Sequence, residues 1–453
     1  MRVRHPNFRW INKLSPVQLI VMFYGIAVTV AFVLLSLPVS HQEGVNVSFI
    51  DILFTAVSAV SVTGLTAVST VDTFSTTGIF LLALILQLGG IGVMTLGTVI
   101  WMIFGKKIGL KERRLIMTDH NQTSFEGMVR LIKQIILVIL TIEFIGFIVL
   151  GTYFIQYFPT VGEAYFQGFF GAISATTNGG FDITGQSLVL FKDDYFVQFI
   201  NILLIILGAI GFPVLIEVKE YLFSKTEERR FVRFSLFTKL TTLTFLLLVV
   251  LGSIMIYLLD INNFFAGKSW HESLFYSVFQ SVTTRSGGLS TMDVSLLTEQ
   301  NHLVMAALMF IGASPSSVGG GIRTTTFALV VIFILTFARG KSRIHIFNRE
   351  VYDEDLYKAV AVTLMAILTV FSAAVILTIA EPYSLTEIIF EVCSAFGTVG
   401  LSLGITGELS TVSKCVLMVL MFMGRIGILT FLFTFYRNNP VDYRYPKEKI
   451  IIG

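Results

Sequence analysis

The stretch FTAVSAVSVTGL, residues 54–65, decides how this chain is read, because it recurs three more times. The copies are FGAISATTNGGF at 170–181, VFQSVTTRSGGL at 278–289 and FEVCSAFGTVGL at 390–401. Each belongs to an apolar run of roughly 10 to 14 residues, too short to cross a hydrocarbon core and of the length a re-entrant helix has. Each closes on a polar or small tripeptide, then a glycine, then Leu or Phe. The closing glycines, Gly64, Gly180, Gly288 and Gly400, are spaced by 116, 108 and 112 residues. The third copy departs most, with Val278 and Val282 where the others have Phe and Ser. A second motif keeps fixed phase with the first. Gly89-Gly-Ile-Gly92, Gly208-Ala-Ile-Gly211, Gly312-Ala-Ser-Pro315 and Gly424-Arg-Ile-Gly427 begin 25, 28, 24 and 24 residues after those glycines. Two motifs repeating in register imply internal duplication.

The surroundings of these copies are membrane-like. Of 453 residues, 54% are hydrophobic and 13% are charged, with a mean hydropathy of +0.81. A soluble protein carries about 25% charged residues, so a soluble enzyme is excluded. A formal charge of +3 is too small and dispersed for a nucleic-acid partner. Cys393 and Cys415 can build neither a disulfide framework nor a four-ligand zinc site. The first apolar run, 17–37, follows Arg2, Arg4, Arg9 and Lys13, but Pro38-Val39-Ser40 offers no small-x-small cleavage site, so it is expected to be a retained helix entering from the cytosol. Seven further runs are long enough to span: 77–104, 134–157, 196–218, 236–259, 302–337, 358–380 and 414–436.

Charge supports this count. All basic residues except Lys192, Lys268, Lys414, Arg285, Arg323 and Arg425 fall in the N-terminus, the C-terminus, the loops after the second, fourth and sixth spans or, for Lys239 and Lys358, the first turn of the span that follows such a loop. Lys and Arg concentrate in this way in cytoplasmic loops. The expected fold is therefore an all-α polytopic membrane protein with eight spans and both termini in the cytoplasm. It is built from four repeats of helix, re-entrant helix, loop and helix around one pore: 1–105, 106–224, 225–345 (with a broken sixth span) and 346–453. Arg285, Arg323 and Arg425 lie at membrane depth, where an arginine usually lines a cavity or pore and is a functional candidate.

A backbone that leaves a helix inside the membrane needs partners other than lipid for its carbonyls. Four such segments around one axis can turn those carbonyls toward a dehydrated cation. The helices before them direct partially negative C-termini inward. Glycine allows the left-handed backbone and close approach that such a site needs. The residues beside these glycines, Val62, Thr63, Asn178, Gly179, Ser286, Gly287, Thr398 and Val399, supply no carboxylate ring, so a weakly hydrated monovalent ion is favoured over calcium. Any one of these glycines alone could serve only close helix packing; four in register argue for more.

With these residues in view, the chain resembles the Trk/Ktr/HKT superfamily of potassium transporters over nearly its whole length. The filter segments of that resemblance are Val62-Thr63-Gly64, Asn178-Gly179-Gly180, Ser286-Gly287-Gly288 and Thr398-Val399-Gly400. The short N-terminal segment looks most like the bacterial Ktr membrane subunit, of KtrB or KtrD type. Glycine at 64, where a serine tends to accompany sodium transport, implies potassium. The resemblance also implies a homodimer and a separate cytosolic nucleotide-binding ring of KtrA or KtrC type. No cofactor is expected on the chain itself, and sodium activation is left open.

The sixth span holds Gly312, Ser314, Pro315, Gly319, Gly320 and Gly321. An interior glycine costs a helix about 1 kcal/mol and a proline about 3 kcal/mol, so a continuous helix is not expected there. A phosphate-loop reading fails, because no Lys follows the glycines. The resemblance implies that this segment is an intramembrane gating loop beneath the filter, with Arg425 facing the cavity beside it. Glu143, the one acid near the middle of a span, is expected to bond a neighbouring helix's backbone, with proton coupling as the alternative. Asp51, Glu163, Glu272 and Glu387 are expected to favour the N-terminal ends of the re-entrant helices. The competing functions are a sodium- or proton-coupled secondary cation transporter with inverted repeats, against which all four repeats share one orientation, and an intramembrane enzyme, which the placement of all six histidines in loops or at span ends argues against. The apolar tail Ile450-Ile451-Ile452-Gly453 is a candidate dimer contact.

Overall fold

The structure, a computed structural model, describes residues 16–92, 128–224, 233–341, 343–433 and 448. Four helices in it are long and apolar enough to cross a membrane. They are α1 (Pro16–Leu35), α4 (Met128–Phe154), α8 (Leu236–Leu259) and α12 (Asp353–Ala380). After each comes a short helix of 13 to 16 residues: α2 (Phe49–Ser61), α5 (Val161–Thr176), α9 (Trp270–Thr283) and α13 (Leu385–Gly397). The starts of all four are written in the sequence. Ser48, Thr160, Ser269 and Ser384 each accept a hydrogen bond from the backbone three residues on, at Asp51, Glu163, Glu272 and Glu387. That satisfies an amide the helix start would otherwise leave unpaired. At Ser269 and Ser384 the glutamate also reaches back to the cap backbone, completing a capping box. The four acids therefore sit in the first turns, as expected.

Next comes a second helix, and here the sequence reading needs correction. The runs 77–104, 196–218 and 414–436 are not continuous helices. The first helix of this set, α3 (Thr76–Ile91), ends at Gly92, and the remainder of that run lies outside the described residues. In the second repeat α6 (Tyr195–Ala209) and α7 (Phe212–Phe223) meet at a 107° bend. The third has α10 (Glu299–Ile311) and α11 (Thr324–Ala338) separated by a loop, and the fourth has α14 (Thr411–Ile426) and α15 (Ile428–Phe433) separated by Gly427. The break is thus not peculiar to the sixth run. Its cause is the last glycine of the second motif: Gly92, Gly211 and Gly427 have φ of +96°, +103° and +93°, a region closed to helix.

The first glycine of that motif does something different. A Cβ at Gly89, Gly208 or Gly424 would run into a carbonyl of Val60, Thr176 or Phe396, four residues before the closing glycine of the same repeat. These glycines let the second helix press onto the last turn of its short helix. Close packing and special backbone, the two readings open for the glycines, are both present, at different positions of one motif. A further small departure from an all-α fold is a hairpin of two-residue strands, β1 (His345–Ile346) and β2 (Arg349–Glu350), whose turn residues Phe347 and Asn348 have positive φ.

Candidate functional site: a ring of four glycines

The short helices all end at one place. In each copy the residue two before the closing glycine turns left-handed although it is not glycine: Val62 (φ +57°), Asn178 (+53°), Ser286 (+80°) and Thr398 (+48°). Gly64, Gly180, Gly288 and Gly400 follow with φ of +90°, +68°, +72° and +96°. Such a conformation costs a non-glycine residue about 1–2 kcal/mol. Four β-branched or polar residues hold it because local bonds enforce it. Thr63, Gly179 and Val399 donate backbone N–H bonds to the carbonyls of Ser58, Ser174 and Ser394 at 2.8, 2.7 and 2.9 Å.

The four glycines form a closed ring. A Cβ at Gly64 would stand 2.6 Å from the Gly179 carbonyl oxygen and 2.9 Å from Gly180 Cα; one at Gly180 would stand 3.0 Å from Gly288 Cα and 3.2 Å from Gly64 Cα. At Gly288 it would strike the Val399 carbonyl, and at Gly400 the Thr63 carbonyl. Each segment therefore touches the next, and the last touches the first. All twelve sequence-predicted residues, Val62, Thr63, Gly64, Asn178, Gly179, Gly180, Ser286, Gly287, Gly288, Thr398, Val399 and Gly400, are brought to this ring. Ser286 ties two segments together, donating to the Thr398 carbonyl at 2.5 Å.

Sequence reasoning missed the braces behind the ring. Ser58 and Ser394 accept from the Gly64 and Gly400 amides, both at 3.1 Å, and Ser174 donates to the Phe181 carbonyl at 2.6 Å. These serines stand six residues before each closing glycine. In the third copy that position is Val282, which has no hydroxyl; the neighbouring Thr283 donates instead to the Leu289 carbonyl at 2.5 Å. The recurring serine was the available signal, and the odd valine is compensated one residue on.

Beneath the ring lies the loop between α10 and α11, with positive φ at Gly312, Ser316, Gly321 and Arg323. A Cβ at Gly319 would meet Ser286 Cβ at 2.6 Å, and one at Gly320 would meet Thr398 Oγ1 at 2.6 Å, so the loop abuts two ring residues from below. It is pinned to the α6–α7 break: Ser314 donates to the Ala209 carbonyl at 3.0 Å, and Phe212 donates to the Ser316 carbonyl at 2.8 Å. Arg425 clamps its other side, its guanidinium donating to the Val318 carbonyl and to that of Gly89 at the end of α3. Gly312, Ser314, Gly319, Gly320, Gly321 and Arg425 are therefore one contiguous cluster. Arg323 donates to the Ser314 carbonyl at 3.2 Å. Arg285 is fully buried and spans from the third ring segment to the carbonyls of Leu308 and Gly312, each at 3.4 Å.

Two other charges are resolved. Glu143 accepts a bond from the Gln87 side chain on α3, so its partner is a side chain and not the backbone expected. Lys414, the first residue of the run 414–436, is 5% exposed and bridges α14 to Asp51 of α2 at 2.7 Å. Among the described residues no group of three or more His, Cys, Asp or Glu could hold a metal ion.

A family profile described as "TrkH: Cation transport protein" matches residues 13–444. The chain belongs to the TrkH family. Relatives within reach of sequence comparison include Ktr system potassium uptake protein D of Bacillus subtilis, 62% identical over 444 residues with 98% of each chain covered. Ktr system potassium uptake protein B of the same organism is 37% identical, again with 98% of both chains covered. The solved potassium transporter TrkH from Vibrio parahaemolyticus superposes with a TM-score of 0.73 over 96% of this chain and 87% of that one, at 18% identity. That likeness concerns the fold. A TrkH-family fold accounts for a helical chain whose four short helices converge on one axis.

Proposed function

We propose that this TrkH-family chain carries potassium into a bacterial cell across the plasma membrane, through one pore running along the axis of the glycine ring. The relatives named for potassium uptake support the ion; the closed ring of four positive-φ glycines is the observation that carries the mechanism. Carbonyls next to left-handed residues point off the strand direction and can replace the hydration shell of a monovalent cation. Four helix C-termini directed at the ring add a partial negative charge of about half an electron each, without the full carboxylates that hold a divalent ion. In this reading the chain crosses the membrane eight times, each broken second helix counting as one span, in the repeats 1–105, 106–224, 225–345 and 346–453.

The loop at 312–321 is the gate. It blocks the path directly below the ring, and Arg425 holds it there while opposing a cation in the cavity with its fixed charge. The assembly is a homodimer with one complete pore per chain, surrounded by membrane lipid and regulated by a cytosolic nucleotide-binding ring of KtrA or KtrC type. The tail at 450–453, the candidate dimer contact, lies outside the described residues. Reconstituted chain in liposomes, with an imposed gradient of potassium, rubidium or sodium, tests the proposal: potassium and rubidium should enter and sodium should not. Equal sodium entry would refute it. A second reading, coupling to sodium or protons, is favoured by the 5% exposed Glu143 beside Gln87. In that case Glu143→Gln would abolish dependence on the proton gradient while potassium still bound.

A further inference from the structure

Three residues before the closing glycines stand Ser61, Thr177, Arg285 and Gly397, so the third copy alone carries a charge at this position. Ser61 and Thr177 use their hydroxyls locally, donating to the carbonyls of Val57 and Ile173 in their own short helices, each at 2.7 Å. Arg285 instead leaves its helix. It is fully buried, and its Nη1 donates to the Leu308 and Gly312 carbonyls at the C-terminal end of α10, both at 3.4 Å. That is beyond the usual range of about 2.7–3.2 Å. Its Nε and Nη2 have no partner, and among the described residues no acid pairs with it. Buried donors without acceptors forfeit their hydration, so this arginine costs the fold stability. Its charge also has the wrong sign for a place beside a cation site. The end of α10 gives a reason for keeping it, because the loop at 312–321 is rooted there. Ala313 donates to the Gly320 carbonyl at 3.1 Å, and Ile322 and Arg323 donate to those of Phe310 and Ile311 at 3.2 and 2.9 Å. Gly312 itself has φ +69°, and a Cβ on it would strike the Gly320 carbonyl. One guanidinium thus joins the residue before Ser286 of the ring to the root of the loop.

We propose that Arg285 is a positioning residue for ion conduction, which makes occupation of the ring and the position of the loop depend on each other. A cation in the ring raises the cost of a poorly paired guanidinium in the same segment, since charges interact strongly where water is excluded. The acceptors that Arg285 reaches are the two α10 carbonyls, at a distance that can shorten by about 0.5 Å before the bonds reach ordinary length. An ion in the ring therefore tightens these bonds and steadies the root of the loop. Coupling of this kind is reciprocal by thermodynamic necessity. A loop that lifts withdraws the carbonyls and weakens the ion's site, so the ring holds its ion while the loop is closed and releases it as the loop opens. The inference rests on the ring being the filter and the loop the gate, and its test separates it from both.

Hydrogen exchange of the full chain in detergent, in potassium chloride or choline chloride at equal ionic strength, reads the coupling at the bonded amides of Ala313, Val318, Ile322 and Arg323. Potassium should slow their exchange about fivefold or more in the native chain, the lower end of ordinary coupling between sites. The effect should vanish in Arg285→Met and persist in part in Arg285→Lys, whose ammonium keeps the charge without the planar guanidinium's geometry. Arg285→Met should melt no lower than the native chain, because it removes buried donors that lack partners. A lower melting temperature with the potassium effect intact would make the arginine purely structural and overturn the inference, as would no potassium effect in the native chain. If Arg285→Met does not fold, Arg285→Lys decides: a reduced effect supports the link and a full one overturns it. Gly64→Ser tests the filter separately. If potassium preference and the potassium effect both survive in Gly64→Ser while Arg285→Met loses the effect, the filter reading fails and the link from Arg285 to the loop stands. Native flux after loop deletion would likewise remove the gate and leave the link.

Discussion

At the scale of single residues, the ring depends on atoms behind it as much as on its glycines. Ser58 and Ser394 each pair a buried amide of the ring. Removing such a partner leaves a buried N–H unsatisfied at a cost of about 1–3 kcal/mol. Ser58→Ala should therefore lower the melting temperature in detergent and, by loosening Gly64, reduce potassium preference over sodium. Thr283→Val should act similarly in the third copy, whereas Val282→Thr should be tolerated; equal effects from both third-copy variants would contradict the assignment of the brace to Thr283. The glycine positions themselves were legible in the sequence, because their register repeats. The braces were half legible: the serine recurs six residues before three of the glycines, but its partner amide depends on a turn that no periodicity encodes. Arg425 could be recognised as a membrane arginine, yet the carbonyls it binds, at Val318 and Gly89, lie more than a hundred residues away in sequence. Such pairing follows from the arrangement of the repeats and from nothing local.

At the scale of elements, the short helices were predicted well and the helices after them poorly, for one physical reason. A capped start such as Ser269 with Glu272 is a local contest between a side chain and nearby amides, and it is readable. A glycine within an apolar run is ambiguous, since it serves packing or a break equally well, and Gly89 and Gly92 do one each. The cap offers a pH test. The Ser269 backbone N–H, then its hydroxyl, hold Glu272 below the usual carboxylate range. A carboxylate with a depressed pKa contributes stability at neutral pH, and that contribution is lost as pH falls through the depressed value. Melting temperature should thus fall on acidification more in the native chain than in Glu272→Gln; parallel pH profiles would count against the cap. For the loop between α10 and α11, deleting residues 314–320, or replacing Arg425→Ala, should raise basal rubidium flux severalfold and weaken dependence on a cytosolic partner. Flux assayed beside size-exclusion monodispersity separates this from misfolding, since a monodisperse mutant with native flux would remove the loop as the gate.

At the scale of the whole molecule, four segments far apart in sequence must close a circle, and the seam between the last and the first is where chain connectivity gives no help. Lys414 and Asp51 cross that seam, with side chains 7% and 19% exposed. Breaking a buried pair by removing one partner costs about 3–5 kcal/mol, while removing both costs much less. Lys414→Met should therefore destabilise the chain strongly, and Lys414→Met with Asp51→Asn should recover most of the loss in thermal unfolding; a double mutant no better than the single would mean that the pair does not hold the seam. The family was legible through the repeated motifs, whereas the seam was not, because nothing local in the sequence pairs Lys414, at the start of the run 414–436, with Asp51.

The claim on which all three scales converge is that the ring selects the ion, and Gly64→Ser tests it most directly. Its backbone has φ +90°, and a Cβ there would stand 2.6 Å from the Gly179 carbonyl oxygen. A side chain must displace that oxygen and widen the ring on one side. Uptake of potassium and sodium, measured in competition in liposomes at matched protein content, should show strong potassium preference in the native chain and a marked loss of that preference in Gly64→Ser. An unchanged potassium-to-sodium ratio in a folded Gly64→Ser protein would contradict the ring as the selecting element.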